Sequence, residues 1–119
     1  MIIIAGWIEV ESGERDALVA ASTPYQRSTR DDEPGCLSYL FAADPIFPAR
    51  VHVFEAWASA DALEKHFEHP NFAAMRKLIG SFHRIGASIS KYRVDATSAV
   101  AGPDGKPSSQ FFDPEGKPL

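Results

Sequence analysis

The stretch FEAWASADALEKHFEHPNF, residues 54–72, decides the fold because it holds a strand end, two helix starts and two histidines. Ser59 is placed to cap a helix over ADALEKHFE, and Pro70 suits the first position of a following helix, where its missing N–H is not needed. His66 and His69 lie three residues apart, so they share a face only if one helix continues through both. Because Pro70 argues against that continuation, we expect His69 to be a cap or loop residue.

Short apolar runs bounded by turn residues predict four strands around this stretch. The strands are MIIIAGWIEV, CLSYLFAAD, RVHVFEAW and GASISKYRV, at residues 1–10, 36–44, 50–57 and 86–94. A long helix is expected between the first two, with Ser12 as its N-cap and a kink or restarted turn at Pro24. The order β-α-β-β-α-β, with its second helical part in two pieces, predicts an α+β, ferredoxin-like fold: an antiparallel sheet with helices on one face.

The first two predicted strands are apolar on both faces. On the first strand, one face carries Ile2, Ile4, Ile8 and Val10, and the opposite face carries Ile3, Ala5 and Trp7. Gly6, in the middle of this strand, indicates a bulge or a close approach to the backbone. A soluble monomer rarely exposes a contiguous apolar patch of that size. A second copy packed across a two-fold axis would cover it, so we predict a homodimer.

Composition excludes several classes of partner. The formal net charge is −4 without a basic run, which disfavours nucleic acid and anionic membranes. The longest apolar run, MIIIAGWI, is far short of the roughly 20 residues of a membrane span and lacks the flanks of a signal peptide, so a cytoplasmic location is expected. Cys36 is the single cysteine, which excludes an intrachain disulfide; we expect it to be a small buried apolar residue.

The chain divides into a domain over residues 1–95 and a Pro/Gly-rich extension over residues 96–119. The extension contains GPDGKPSSQFFDPEGKPL, in which PEGKP partly echoes PDGKP, too short an echo to indicate a repeat architecture. Phe111 and Phe112 are its large apolar residues. We expect them to dock on the body of the domain or on the partner subunit.

EPGCLSY at residues 33–39, together with the stretch at 54–72, resembles the antibiotic biosynthesis monooxygenase family. The resemblance covers residues 1–95 and implies a dimeric α/β barrel. Its matching positions are Glu55, Trp57, Ser59, Leu63 and His66. The family includes cofactor-independent quinol or anthrone monooxygenases, haem-degrading enzymes, enzymes that process signal molecules and members with no established activity, so the fold does not fix the reaction.

The resemblance does not extend to haem binding. Haem-degrading members have Asn, Trp and His at positions that fall here on Gly6, His66 and Arg76. None of the three matches, and no Gly-rich nucleotide fingerprint follows the first strand, so no cofactor is expected. His66 and His69 supply only two ligands where zinc usually takes three or four, so no metal site is expected.

The resemblance implies that His66 points into a ligand cavity between the sheet and the helices. A histidine with an ordinary pKa near 6.5 takes a proton from a phenol or enol at neutral pH, so His66 is the candidate catalytic base. Candidate substrate-binding residues are Trp7, Tyr39, Phe72 and Arg76, of which the aromatic three either form cavity walls or pack in the core or dimer. Glu55 is expected to form a structural salt bridge, with a general-base role as the lesser alternative.

Taken together, these features predict a cofactor-independent monooxygenase for a small aromatic or quinol-like substrate. Deprotonation by a base gives an electron-rich anion that can react with O2, and the protein then has to orient the anion and exclude water. Two alternatives remain: a non-catalytic dimeric module that binds a small hydrophobic ligand, and an isomerase-type enzyme acting on an enolisable metabolite. Both enzymes need the same base, so the residues alone do not separate them.

Overall fold

The computed structural model describes all of residues 1–119, with four strands and three helices. In chain order these are β1 (Ile2–Val10), α1 (Arg15–Asp32), β2 (Cys36–Ala43), β3 (Arg50–Trp57), α2 (Ala60–Glu68), α3 (Pro70–Gly80) and β4 (Arg84–Arg93). The strands form one antiparallel sheet in the order β2-β3-β1-β4, and the helices pack on one face of it. This confirms the predicted ferredoxin-like α+β fold.

Two helix starts within eleven residues shape the region around the histidines. Ser59 caps α2, because its hydroxyl accepts a 3.1 Å bond from the Ala62 N–H. Pro70 is the first residue of α3, and the His69 Nδ1 atom accepts a 3.0 Å bond from the Asn71 N–H. His69 is therefore the cap between two helices, as the proline predicts.

The predicted start of α1 is wrong. Its N-cap is Glu14, which makes no capping bond with its side chain. The Glu14 carboxylate instead accepts bonds from the backbone N–H of His83, at 3.1 Å, and pairs with the His83 Nδ1 atom at 2.9 Å. A contact with the segment before β4 therefore takes the place of the local cap expected at Ser12.

Pro24 lies inside α1 without restarting it, because tertiary bonds hold the helix beyond the proline. The buried Gln26 side chain donates to the Phe41 carbonyl at 3.0 Å and accepts from the Phe41 N–H at 3.1 Å. These two bonds fasten α1 to β2. The helix runs on to Asp32.

A bulge in β2 sets which of its side chains face the helices. Cys36 pairs with Trp57 and Tyr39 pairs with Glu55, with a register shift between Cys36 and Ser38. Both Cys36 and Tyr39 therefore lie on the core side, where Cys36 packs against the buried cluster. The extra residue, Leu37, is exposed. Simple alternation along CLSYLFAAD would predict Leu37 on the face of Tyr39 and opposite Cys36, and the bulge makes that prediction wrong at this point.

Gly6 marks a close approach of two backbones, as predicted. Its φ is +156°, and a Cβ added there would lie 2.0 Å from the Ser88 carbonyl oxygen of β4. No side chain fits in that gap. The pairing of β1 with β4 therefore depends on glycine at position 6.

The outer face of the sheet, on the side away from the helices, is apolar and uncovered by the chain. It carries Leu40 of β2, Phe54 of β3 and Tyr92 of β4, all exposed, next to the half-buried Ile3 and Trp7 of β1. Residues after β4 form two short hairpins closed by bridges at 101–107 and 112–118. No helix of the chain combines the length and apolar character that crossing a membrane requires.

Candidate functional site

The inner face of the sheet and the helices α2 and α3 enclose a cavity of about 440 Å³. That volume lies in the ordinary range for small-molecule sites. Most of the wall is hydrophobic, and its charged residues are Glu55, Arg76 and Arg84. The full lining is Ile8, Tyr39, Phe41, Val53, Glu55, Phe67, Phe72, Met75, Arg76, Ile79, Gly80, Arg84 and Ile89.

Glu55 is a buried carboxyl on the cavity wall with no cation beside it. It lies on β3 directly opposite Tyr39, and its Oε1 atom accepts a 3.0 Å bond from the Trp57 indole N–H. Burial raises the pKa of the Glu55 carboxyl to about 7, and the negative charge of Glu33 adds to the rise while the Trp57 bond opposes it. The salt bridge expected for Glu55 does not form within the chain.

Tyr39 lies next to Glu55 and is fully buried. Burial, followed by the charges of Glu55 and Glu33, raises the pKa of its phenol far above the ordinary value. A hydrogen bond with the Thr29 side chain opposes this rise without cancelling it. Tyr39 therefore stays a neutral phenol at any working pH.

Arg76 of α3 and Arg84 of β4 are exposed residues that also line the cavity. The arginine ion pairs of the chain join Arg15 to Asp16 and Arg50 to Glu9, so neither cavity arginine has an acidic partner. Their guanidinium groups are free to attract an anionic oxygen. The cavity thus has a buried carboxyl and two unpaired cations on its wall.

His66 lies behind the cavity wall. Its side chain is 1% exposed, and its Nδ1 atom is 2.9 Å from the Glu33 Oε1 atom. The ring packs against Trp57 with centroids 4.3 Å apart, and against the rings of Tyr39 and Phe72, which do line the cavity, at 5.5 and 5.3 Å. Burial lowers the pKa of His66, although Glu33 opposes the effect, so the ring is neutral at pH 7.

Trp7 is separated from the other candidate site residues by the sheet itself. It follows Gly6 and precedes Ile8, which lines the cavity, so alternation along β1 directs Trp7 to the outer face. There the Arg50 guanidinium stacks on its ring at 4.2 Å. Trp7 and Tyr39 also do not lie on neighbouring strands, because β3 stands between β1 and β2.

The structure brings Tyr39, Phe72 and Arg76 together at one cavity and adds Glu55 and Arg84 to them. The sequence did point to Glu55, as an acidic residue among apolar ones two positions before a tryptophan, but that pattern fits a structural carboxyl equally well. No sequence pattern pointed to Arg84 as a site residue, because it lies where a loop joins a strand. At the surface, Glu11, Glu14 and His83 each place one potential metal-ligating atom within 4.8 Å of the others. The hydrogen bond between Glu14 and His83 already explains this grouping.

Comparisons with known proteins fit this architecture. A family model for antibiotic biosynthesis monooxygenase matches residues 1–78. An uncharacterised protein of Synechocystis sp. is 35% identical over 99 residues, which cover 83% of this chain and 67% of the relative.

Among solved structures, a candidate antibiotic biosynthesis monooxygenase of Deinococcus radiodurans matches with a TM-score of 0.75 at 22% identity, covering 86% of this chain and all of the other. A second candidate monooxygenase, from Caulobacter crescentus, gives 0.71 at 23% identity and covers 82% and 90% of the two chains. At these identities the structures establish the shared fold alone. With the family model spanning most of its length, the chain belongs to the antibiotic biosynthesis monooxygenase family.

Proposed function

We propose that the protein is a cofactor-independent monooxygenase acting on a small aromatic substrate with an acidic O–H or C–H, of the quinol or anthrone type. The observation that carries the proposal is the Glu55 carboxyl, held in an apolar cavity with its pKa raised to about 7. A base of that strength is matched to an acidic phenol or enol at neutral pH. An apolar cavity that fits a planar ring system excludes water from the resulting anion.

The chemistry balances without a reductant. For an anthrone-type CH2 group, Glu55 takes one proton, and the carbanion passes one electron to O2. The radical pair combines to form a C–O bond, which gives a hydroperoxide once a proton is returned. Loss of the second C–H proton breaks the O–O bond and leaves C=O, so that CH2 and O2 become C=O and water. The carboxyl of Glu55 accepts and returns the proton in each step.

The other cavity groups support the anion. Arg76 and Arg84 lower the energy of negative charge on the substrate oxygen, because neither is neutralised by an acid of the chain. Tyr39 adds a phenol ring that does not ionise to the cavity wall. The Phe72 ring, on α3, provides an apolar face for the ring system of the substrate.

His66 remains the second candidate for the base. Its neutral ring has the chemistry for proton transfer, but it is fully buried, and its neighbours Tyr39 and Phe72 line the cavity while His66 does not. We therefore assign His66 a positioning role: paired with Glu33, it packs on Trp57, whose indole N–H holds Glu55. This arrangement fixes the carboxyl that takes the proton.

The assembly we propose is a homodimer formed through the outer face of the sheet. The exposed Leu40, Phe54 and Tyr92 side chains form an apolar surface, next to the half-buried Trp7 on which Arg50 stacks. A second copy of the sheet would bury it across a two-fold axis. In this assembly Trp7 is an interface residue rather than a substrate-binding one. A cytoplasmic location stays a prediction from the sequence.

Oxygen uptake by the metal-stripped protein tests the function. The substrates are a panel of dihydroquinones and dithranol, with uncatalysed autoxidation subtracted. The variants are Glu55→Gln, His66→Gln and, as a control, Glu64→Gln, which changes an exposed glutamate of α2 in the same way. We expect wild-type uptake to fall about 100-fold in Glu55→Gln, the size of a general-base contribution, and to stay unchanged in the control.

Each other outcome has a definite meaning. Loss of uptake in His66→Gln with full activity in Glu55→Gln would make His66 the base. Solvent deuterium exchange into the substrate without oxygen uptake would indicate an isomerase-type enzyme. Binding without either reaction would indicate the non-catalytic module.

A further inference from the structure

The C-terminal extension contains one hairpin twice. VAGPDGKPS at residues 100–108 and FFDPEGKPL at residues 111–119 align at an offset of eleven positions, with the Pro, Gly, Lys and Pro of each PxGKP segment identical. The two segments are more similar in backbone conformation than in sequence, because the backbone geometry is repeated even where the residues differ.

Both copies fold in the same way. Gly105 and Gly116 occupy equivalent positions with φ of +80° and +84°, and each donates its N–H to the carbonyl three residues earlier at 2.9 Å. In each copy the lysine carbonyl accepts a 2.8 Å bond that closes the turn. A left-handed glycine is what such a turn requires. Residues 100–119 are thus a duplicated structural unit rather than an irregular tail.

The two hairpins pack against each other, and the hydrogen bonds of residues 98–119 all lie within that segment. Gly116 lies against Pro103, where an added Cβ would be 3.2 Å from the proline ring, and Gly102 lies against the Phe112 ring. The last hydrogen bond to the body is from the Val94 N–H to the Met1 carbonyl, at 3.0 Å. The radius of gyration is 16.7 Å, against about 13.5 Å for a compact chain of this length. The extension is an arm that projects from the sheet.

The arm exposes apolar side chains at the paired ends of its hairpins. Val100, Phe111 and Leu119 are 78%, 47% and 70% exposed, and Val100 and Phe111 are equivalent positions of the repeat. An isolated two-stranded hairpin is at best marginally stable in water, so its own contacts do not account for a fixed arm. The uncovered apolar ends of the hairpins are therefore suited to pack on a surface outside them.

We propose that the arm docks on the body of a second copy of this chain, at the rim of the apolar outer face. The arm leaves the sheet directly after β4, at the end where the exposed Tyr92 and Leu37 side chains lie. Every copy carries both the arm and the uncovered apolar face. Two copies related by a two-fold axis can therefore each cover the other's arm and face, and the assembly is closed. A foreign partner would cover only one of the two. The inference rests on the homodimer proposed above and not on the oxygenase reaction.

The test uses the full-length chain with Phe111→Asp and Leu119→Asp combined, compared with wild type by sedimentation velocity across a dilution series. The control variant is Ser109→Asp with Gln110→Asp, which adds the same charge at exposed polar positions between the hairpins. We expect the dimer dissociation constant to rise at least tenfold in the first variant and less than twofold in the control. Amide exchange of Gly105 and Gly116 should slow as wild-type concentration rises through the dimer midpoint.

The docking of the arm would be refuted if the Phe111→Asp/Leu119→Asp variant had an unchanged dissociation constant and the amide exchange of Gly105 and Gly116 did not depend on concentration. The proposed dimer would be unaffected by that result. A wild-type chain that stays monomeric at all concentrations would overturn both. Neither result bears on oxygen uptake, which is measured separately.

Discussion

Replacing Glu55 with Gln should make the protein more stable at alkaline pH. In the folded protein the Glu55 carboxyl keeps its proton up to a pKa of about 7, whereas in the unfolded chain it loses it at the ordinary value of 4.5. The folded state therefore binds more protons between these values, and the free energy of unfolding falls as pH rises through them. A difference between 4.5 and about 7 corresponds to about 3 kcal/mol at about 1.36 kcal/mol for each pH unit.

Glutamine has the same shape and keeps an acceptor for the Trp57 N–H, so the substitution removes the charge and little else. Urea unfolding of wild type and Glu55→Gln from pH 4.5 to 8.5 measures the effect, because the difference between the two cancels all other titrating groups. We expect the variant to gain about 3 kcal/mol on wild type across that range, most of it below pH 7.5. Glu64→Gln provides the matched control and should show no such gain.

A difference between Glu55→Gln and wild type that does not change with pH would refute the assignment of a near-neutral carboxyl in the cavity. It would mean that Glu55 is ionised across the whole range, stabilised by a cation such as one of the cavity arginines. The general-base role proposed for it would then lose its support.

Three further substitutions test the fold around the site. Gly6→Ala should lower stability by about 2–3 kcal/mol, seen as a fall of roughly 10 °C in Tm, because its Cβ would collide with the Ser88 carbonyl; an unchanged Tm would show that β4 moves freely away. His66→Ala should cost about 3–4 kcal/mol in urea unfolding, since it leaves a cavity and removes one of the two side-chain partners of the buried Glu33 carboxylate, the other being Asn71; a loss below about 1 kcal/mol would mean that water replaces the ring. Ser59→Ala should cost about 1 kcal/mol through loss of the α2 cap, measured the same way, and a neutral result would show that another group caps the helix.

Local chemistry accounts for what the sequence predicted well. The Ser59 cap, the Pro70 start and the His69 cap between them depend on side chains that bond within three residues, so the order of residues specifies them. Ser12 and Pro24 were misleading because contacts distant in sequence, from His83 and from Phe41, outweighed the local preference.

The candidate site depended on information that the sequence does not contain. A one-residue bulge in β2 decides that Tyr39 and Cys36 both face the helices, and the strand order places β3 between Trp7 and Tyr39. Such features come from how strands pair, and a shift of one residue moves a side chain to the opposite face. His66 was predicted to point into the cavity, but its ring is buried among four aromatic rings, those of Tyr39, Trp57, Phe67 and Phe72.

The sequence by itself determined the elements, their order and the family, because periodicity, caps and turn residues act locally. Only the tertiary structure decided which charged groups meet. Glu55 becomes a carboxyl with a pKa near 7 because the fold removes it from water without a cation beside it, and desolvation is a property of the surroundings that packing creates. The same holds for the extension, whose short echo in sequence becomes two equivalent hairpins only once backbone bonds close them.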